Sequence, residues 1–435
     1  MSRELLEPIF DSGIRSPYFF SGRLLTARDL SAEQDASREQ RRLLGLAIGE
    51  GIAYGFEVEK STDSKSTAEA PIVKISAGLA VNREGQTLYL ASGTDLALVR
   101  EDDELAEDAG TFSACAPSQT TAVLAGAGIY VLVVSPASGY EGSVPVSSLS
   151  SGGGSCSCNH KSTVEGVQFR LIELDVSRVR GVRESTRSTI TALMGKSDTP
   201  SLSKLRNLVA HLCFGTEETV VAKDPFTKSG GRYPYQAYGA LQSLRSTLAL
   251  TDCDVPLAVL FWTASGLQFI DTWSVRRRVA AGSAAPRWRL FAGEPRIAES
   301  EAGFLQFQDQ IESIRDAETG LAEIVASDRF AYLPQAGILP LKGIGTAAGF
   351  AADTFFKGMA AAPTVFIDGD RVEALIRTAL VYPPIKAGAD GMVRLYQVYE
   401  AAETFVVFTT GYVPFMGESR FDLSRWDRAN FVSGI

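Results

Sequence analysis

Two cysteines and a histidine cluster in a Ser/Gly-rich segment, in the order Cys156-Ser-Cys158-Asn-His160. Thiolate and imidazole groups are the ligands that zinc prefers. Structural zinc sites, however, use Cys-x(2–4)-Cys with a second, distant pair, and here the spacing is tighter and the nearest other cysteine is Cys115. A zinc or iron site is therefore a weak candidate. We favour a Ser/Gly loop with incidental cysteines, and we expect no metal and no cofactor.

The remaining histidine and two further cysteines lie among apolar residues. His211 falls on the apolar stripe of a predicted helix, where a core histidine is more common than a catalytic one. Cys213 and Cys253 sit in apolar runs, and such cysteines are usually buried free thiols. We predict structural roles for all three.

Three consecutive arginines, Arg276-Arg277-Arg278, could bind a phosphate. They follow a predicted strand directly, so alternate side chains are expected on opposite sides of the chain. Ion pairs with acidic surface groups are therefore the favoured interpretation.

No segment carries an established catalytic motif. The glycines of Gly343-Ile-Gly345-Thr-Ala-Ala-Gly349 match a dinucleotide-binding fingerprint poorly, because no strand-turn-helix unit surrounds them. Gly-x-Ser-x-Gly, His-Glu-x-x-His and the Walker pattern are absent. The carboxylate pairs Glu217-Glu218 and Asp102-Asp103 are adjacent in predicted loops. We expect no enzymatic activity.

The composition is that of an ordinary globular chain of 435 residues, 45% hydrophobic and 21% charged. The formal net charge of −9 argues against nucleic-acid binding, which needs a basic face. The apolar runs are too short to span a bilayer, so no direct membrane insertion is expected. The first residues lack an apolar signal core, and cytoplasmic synthesis is the expectation.

One stretch, residues 17–58, is denser in structural signals than any other. An aromatic segment is followed by Thr26, a plausible helix N-cap, with Asp29 three residues later as in a capping box. A charged helix of about twenty residues follows. Glycines are predicted to end this helix, and a strand is predicted at 56–58. The first half of this helix is polar and the second half is apolar, so we predict that the second half is buried.

The rest of the chain alternates between strand and helix patterns, which predicts a multi-domain α+β fold with antiparallel β-sheets and packed helices. Residues 1–110 are predicted to form an N-terminal helix and a small antiparallel sheet. Residues 111–290 are predicted to form a β-rich domain with a helical insert and a flexible Ser/Gly loop at 135–163. Residues 291–435 are predicted to form an α+β domain with a helix, a hairpin and an aromatic tail.

Several blocks of the sequence resemble one protein family. The blocks PYFFSGRLLTARDLSAEQ, GEGIAYGFEV and ISAGLAVNREGQTLYL resemble the N-terminal module of a protein encoded with phage-tail-like contractile injection systems. The segments DCDVPLAVLFW, FIDTWSVRRRV and YLPQAGILPL are also similar to that family. The resemblance implies a baseplate-associated extension or cage around the spike, present in repeated copies and without catalysis.

This resemblance leads to expectations about partners and residues. The partners would be copies of the chain and other baseplate or spike proteins, and after its synthesis the chain would become part of an injection particle. Aromatic and arginine side chains are favoured at interfaces. The candidate interface residues are Tyr18, Phe19, Phe20, Arg23, Asp29, Glu33 and Trp426.

Two other functions stay open from the sequence alone. The chain could be a surface- or receptor-binding, fibre-like accessory protein of the same particle, with the 135–163 segment facing outward. It could also be a hydrolase with an unusual site, which would require a pocket holding several titratable groups with shifted pKa values.

Overall fold

A computed structural model describes residues 13–99, 128–146, 157–179, 182–217, 239–280, 294–341, 349–399, 401 and 404–413. The fold is α+β, as predicted, with helices packed on several antiparallel sheets. Within the described residues, the helices are α1 (Ala27–Ile48), α2 (Glu184–Met194), α3 (Thr199–Cys213), α4 (Gly239–Ser246), α5 (Glu294–Ala317), α6 (Ala326–Arg329), α7 (Ala352–Phe355) and α8 (Val372–Ala379). The strands are β1 (Gly51–Gly55), β2 (Val58–Lys60), β3 (Ile72–Ile75), β4 (Gly78–Val81), β5 (Thr87–Leu90), β6 (Thr94–Ala97), β7 (Gly128–Val146), β8 (Ser157–Glu173), β9 (Val255–Thr263), β10 (Gly266–Asp271), β11 (Tyr332–Leu333), β12 (Ala336–Pro340), β13 (Ala360–Ala361), β14 (Val365–Ile367), β15 (Ile385–Lys386), β16 (Met392–Val398) and β17 (Phe405–Thr410).

The six short strands after α1 form two antiparallel sheets of three strands, in the orders β1-β4-β5 and β2-β3-β6. The sequence predicted one small sheet and a strand at residues 56–58. The chain instead changes sheets at Phe56, whose φ of 56° breaks the strand and whose ring is fully buried. A buried aromatic ring in this conformation fixes the corner between the two sheets.

A four-stranded antiparallel sheet in the order β10-β9-β7-β8 forms the centre of the described structure. Alternate residues of its inner strands face opposite sides. Val131 and Val259 pack with the helices α2, α3 and α4, whereas Leu132 and Leu260 pack with the N-terminal strands. Both faces of the sheet are therefore buried, which explains why β9 and residues 128–134 of β7 are almost continuously apolar in sequence.

The prediction of a flexible loop at 135–163 is wrong for the residues that the structure describes. β7 and β8 remain paired from Tyr130–Glu173 out to Val146–Ser157, and they form a two-stranded ribbon beyond the central sheet. Serine and glycine suggested a linker, but β-branched and aromatic residues such as Val144, Val164 and Tyr140 recur within the ribbon. Their cross-strand pairing outweighs the composition. The turn at 147–156 lies outside the described residues.

The C-terminal part contains a sheet in the order β12-β17-β16, on which β13 and β14 pair in parallel with β16. One face of this sheet packs against α5 through a cluster of phenylalanines. These are Phe307, Phe330, Phe350, Phe355, Phe356 and Phe408. The other face packs against α8. The hairpin predicted within residues 291–435 is present as β16–β17, and β9 and β10 form another hairpin in the central sheet.

A buried polar network joins the central and C-terminal parts. Arg206 of α3 donates hydrogen bonds to Asp271 at the end of β10 (2.6 Å) and to Asp309 of α5. Gln306 also donates to Asp271, at 2.9 Å. Because Arg206 and Asp271 are almost completely buried, their charges must be paired to be tolerated, and the network fixes the relative position of three elements. The three-part domain division stays a prediction.

None of the helices among the described residues combines the length and the apolar character needed to cross a bilayer.

Candidate interaction surface

The predicted capping box is present at the N-terminus of α1. The backbone N–H of Asp29 donates to the Thr26 hydroxyl oxygen at 3.2 Å, and the backbone N–H of Thr26 donates to the Asp29 carboxylate at 3.0 Å. The hydrogen bonds from Thr26, assisted by the charge of Arg23, lower the pKa of Asp29. The helix therefore begins at a fixed residue and holds the preceding segment in place.

That preceding segment presents its aromatic residues to solvent. The Arg23 guanidinium donates to the backbone carbonyl oxygen of Tyr18 at 2.6 Å and also pairs with Asp29. The rings of Tyr18 and Phe20 lie 6.3 Å apart. Tyr18 is 79% exposed and Phe20 is 59% exposed. Arg23 and Asp29 thus position the aromatic residues and are not themselves free charges on the surface.

The apolar second half of α1 is also exposed, and the prediction that it is buried is wrong. Leu44 is 64% exposed and Ile48 is 53% exposed. The buried residues of the helix are the small ones, Ala36 and Gly45. A helix that docks through small residues leaves its large side chains facing away from the protein.

The contact at Gly45 explains this orientation. A Cβ atom at Gly45 would overlap the backbone carbonyl oxygen of Gly85 in the β4–β5 turn, and one at Gly85 would overlap the carbonyl oxygen of Arg42. Gly85 has a φ of 77°, which favours glycine. Backbone therefore packs directly on backbone here, and no side chain larger than a hydrogen atom fits at position 45.

Exposed large apolar side chains thus recur both before α1 and along it, and we call this set the apolar surface. Its members are Tyr18, Phe19, Phe20, Leu24, Leu25, Leu30, Leu43, Leu44, Leu46 and Ile48. Large exposed apolar patches mark interaction sites more often than isolated exposed leucines do. Sequence reasoning identified Tyr18, Phe19 and Phe20, but it predicted that the apolar residues in the second half of α1 are buried.

The charged residues of α1 differ in their pairing. Arg42 donates to Glu39 at 2.7 Å, and Arg38 pairs with Glu165 of the ribbon at 3.3 Å. Within the part of the chain that the structure describes, Glu33 and Arg41 have no ion-pair partner, and both are exposed. Glu33 is thus an exposed carboxylate, and its place in an interface stays a prediction. Trp426 lies outside the described residues.

The structure describes two of the three weak metal candidates. Cys156 lies outside the described residues, and Cys158 lies in β8 opposite Pro145. The His160 ring is exposed and stacks on Tyr140 with ring centroids 4.4 Å apart. No group of three or more potential metal ligands occurs among the described side chains. The metal hypothesis stays untested.

The three consecutive arginines form ion pairs, as predicted. Arg276 pairs with Glu57 (3.2 Å) and Arg278 with Glu301 (2.5 Å). Arg277 lies 3.8 Å from Glu299. They do not follow the strand directly, because β10 ends at Asp271 and a turn intervenes. These arginines connect the N-terminal module and α5 to the central part.

His211 is buried, as predicted, at the edge of a small cavity of about 10 Å³ lined also by Thr186, Glu217 and Tyr332. Its Nδ1 atom lies 2.8 Å from the Thr216 hydroxyl. Burial lowers the pKa of His211 to about 3, so the ring is neutral near pH 7. The Tyr332 hydroxyl donates to Glu217 at 2.8 Å. Burial is the main cause, and this hydrogen bond the second cause, that raises the pKa of Tyr332 to about 12. The volume corresponds to about one water molecule.

The two cysteines predicted to be buried thiols differ. Cys213 is buried and free, and burial raises its pKa to about 12, which keeps the thiol protonated. Cys253 is disulfide-bonded, so the prediction of a free thiol is wrong at that position. The pattern of apolar neighbours was the same for both, and it could not distinguish them.

Glu218, Asp102 and Asp103 lie outside the described residues, as does most of the glycine-rich segment 343–349. Comparison with models of protein families gives no match, and no curated protein is significantly similar to the chain.

Proposed function

We propose that this chain is a structural component of a contractile injection system, located at the baseplate as an extension or cage around the spike. The observation that carries the proposal is the apolar surface. It lies in the same stretch, residues 17–58, that resembles the N-terminal module of such proteins. A surface of this kind suits a protein that acts by binding neighbouring subunits.

The energetics of the apolar surface support a docking role. Burying one large apolar side chain contributes about 1.5–3 kcal/mol. Tyr18, Phe20 and Leu24 are all more than half exposed in the single chain. Covering them would give a partner several such contributions, with aromatic residues at the centre of the contact.

The reactive groups of the described cavity also favour a structural role. His211 is held neutral by burial and hydrogen-bonds to Thr216, and the Glu217 carboxylate accepts from Thr186 and Tyr332. These groups satisfy one another, and the Cys213 thiol nearby is protonated. Such mutual satisfaction is typical of a polar cluster within a core.

The proposal is tested by isolating injection particles from cells that produce the variant Y18A/F19A/F20A. We expect the wild-type chain to copurify with particles in a fixed ratio to the sheath. We expect the triple variant to be reduced by about tenfold or more, which corresponds to about 1.4 kcal/mol or more of binding free energy.

Tyr412→Ala provides the matched control, because Tyr412 is a 67% exposed aromatic residue remote in sequence from the apolar surface. It should copurify like the wild type. A wild-type chain that never accompanies particles would contradict the proposal, and so would a triple variant that incorporates normally.

One observation favours a second function, binding of a target surface. The ribbon of β7 and β8 continues beyond the central sheet, and Tyr140, Val144 and Val164 on it are exposed. Such a ribbon could present its end to a receptor. Ser138 and Glu165 are paired across the ribbon, so a two-residue turn joining them would remove the outer part with little disturbance.

Particles carrying this shortened chain distinguish the two functions. If the ribbon binds a target, the particles assemble normally and lose attachment to target cells. If the ribbon serves assembly, incorporation into particles is reduced. Normal assembly together with normal attachment would contradict both roles for the ribbon.

A further inference from the structure

One face of α1 has a symmetrical arrangement of residue types. Leu30, Ser37 and Leu44 are spaced seven residues apart, and such residues remain within about 20° of one another per heptad on a helix. The two leucines are exposed and the serine is half-buried. Glu33 and Arg41 lie four residues before and after Ser37, on the two flanks of this face.

This face of α1 is complementary to the same face of a second, antiparallel α1 helix. If two copies of α1 cross antiparallel at Ser37, a two-fold axis relates them, and each residue meets the one equally far on the other side of Ser37. Leu30 then packs against Leu44 of the second copy. Glu33 comes level with Arg41 of the second copy. A two-fold contact requires this kind of self-complementary patch.

The small side chain at the centre suits a close crossing. Helix axes approach to about 8–10 Å, depending on the side chains at the contact point. Ser37 accepts a hydrogen bond from the Arg41 guanidinium at 3.0 Å, which holds Arg41 beside the proposed crossing. Two serines facing each other at the axis leave room for the flanking leucines to meet.

The charges of this face favour a second copy as the occupant. Glu33 and Arg41 have no ion-pair partner among the described residues, whereas Arg38 and Arg42 on other sides of the helix are paired within the chain. A parallel arrangement would place Glu33 level with Glu33 and Arg41 level with Arg41. Like charges repel, so the charge pattern selects the antiparallel arrangement.

We propose that a second copy of this chain docks on the Leu30–Ser37–Leu44 face, with the two α1 helices antiparallel about a two-fold axis at Ser37. The inference deepens the proposed function, because it names one contact between copies of the chain. It rests on the proposed function for the biological role of this contact. It is tested on the free full-length chain, so it can fail while incorporation into particles succeeds.

Cysteine cross-linking tests the position of the axis. In the variant Ser37→Cys, the two new thiols face each other, and mild oxidation should give a disulfide-linked dimer in severalfold excess over wild type. Ser31→Cys is the matched control, because Ser31 is an exposed serine of the same helix about 120° away. The amount of disulfide-linked dimer of Ser31→Cys should equal that of the wild type. The wild-type amount measures cross-linking by the native cysteines.

A third variant tests the direction of the helices. Leu30→Cys alone should not form a dimer above wild type, because Leu30 and Leu44 are separated by about 21 Å along the helix. A mixture of Leu30→Cys and Leu44→Cys should form one. Self-cross-linking of Leu30→Cys would overturn the antiparallel arrangement.

Charge reversal tests the predicted contacts without cysteines. Glu33→Arg and Arg41→Glu should each raise the dimer dissociation constant by about tenfold in sedimentation at low salt, because two pairs change sign at once. A 1:1 mixture of the two variants restores both opposite-charge pairs, and it should restore association. The double variant E33R/R41E should associate like wild type.

The results that would overturn this inference differ from those that would overturn the proposed function. A chain that remains monomeric over a concentration series, with Ser37→Cys no more cross-linked than Ser31→Cys, would exclude a second copy on this face. If such a chain still enters particles through Tyr18, Phe19 and Phe20, the proposed function stands and another subunit covers α1. Failure of both would reject the two together.

Discussion

His211 illustrates how much of the chemistry of a single residue depends on its burial. The ring is almost completely buried, and its nearest polar partner is the Thr216 hydroxyl. The sequence placed His211 on an apolar stripe, which was sufficient to predict burial. It could not predict Thr186 and Tyr332 beside it, because these residues approach only through the tertiary fold.

Stability should therefore depend on pH through His211. Its pKa is lowered from 6.5 to about 3 in the folded chain, so below pH 6.5 the unfolded chain binds a proton that the folded chain does not. The free energy of unfolding should fall as the pH falls from 6.5 towards 3, by up to about 1.4 kcal/mol per pH unit, and His211 should contribute nothing above pH 6.5. Urea denaturation at pH 7, 5.5 and 4.5 measures this.

His211→Gln should reduce that slope, because the amide does not titrate. The matched control is His160→Gln, since His160 is the other histidine and is exposed on the ribbon. Equal slopes for wild type and His211→Gln would show that the buried ring does not destabilise the fold in acid.

At the scale of elements, the periodic signals predicted most segments well, and the errors have identifiable causes. The start of α1 after Thr26 followed from the capping residues, and the hairpin β16–β17 followed from alternation. The ribbon of β7 and β8 was missed because serine and glycine suggested a flexible linker. Its pairing depends on contacts between residues far apart in sequence, such as Tyr140 and His160.

The orientation of α1 could not be predicted from its apolar residues. The apolar second half of the helix suggested a buried segment, yet Gly45 and Ala36 are the residues that are buried. A helix that binds a partner protein and a helix that packs on its own core have the same amphipathic pattern. The glycine was the available signal, because Gly45 is otherwise unfavourable in a helix.

Gly45→Ala should weaken the docking of α1. At an exposed helix position this change stabilises by about 1 kcal/mol, but here the new Cβ overlaps the Gly85 carbonyl oxygen. We expect faster amide hydrogen exchange throughout α1 and unchanged exchange in the C-terminal strands β16 and β17.

The neighbouring change Ala47→Gly is the control for helix propensity alone, because Ala47 is exposed. It should accelerate exchange only slightly. Slower exchange in Gly45→Ala would mean that α1 is not held against the β4–β5 turn.

At the scale of the whole molecule, three kinds of connection hold the described parts together. One sheet shares its two faces between the N-terminal strands and the helices α2–α4. The network of Arg206, Asp271 and Asp309 joins this centre to α5. Ion pairs of Arg276 and Arg278 add further links. α1 and the ribbon carry exposed apolar side chains outside these connections, where a partner can reach them.

The fold class followed from the sequence because hairpin and helix patterns are local. The proposed function rests on the resemblance and on the apolar surface. The sequence of this chain cannot supply the surfaces of the partners, because they belong to other molecules. Tyr18 and Phe20 were proposed as interface residues from their residue types, whereas Leu44 and Ile48 became candidates only when the structure exposed them.

The most direct test is amide hydrogen exchange of residues 17–48 in the free chain and in intact injection particles. Burial of the apolar surface by neighbouring subunits predicts that α1 and the Tyr18–Phe20 segment exchange many-fold more slowly in the particle, while the buried strands β7 and β9 are unchanged. Equal exchange of residues 17–48 in both states would contradict the claim that this chain functions by assembly through its N-terminal surface.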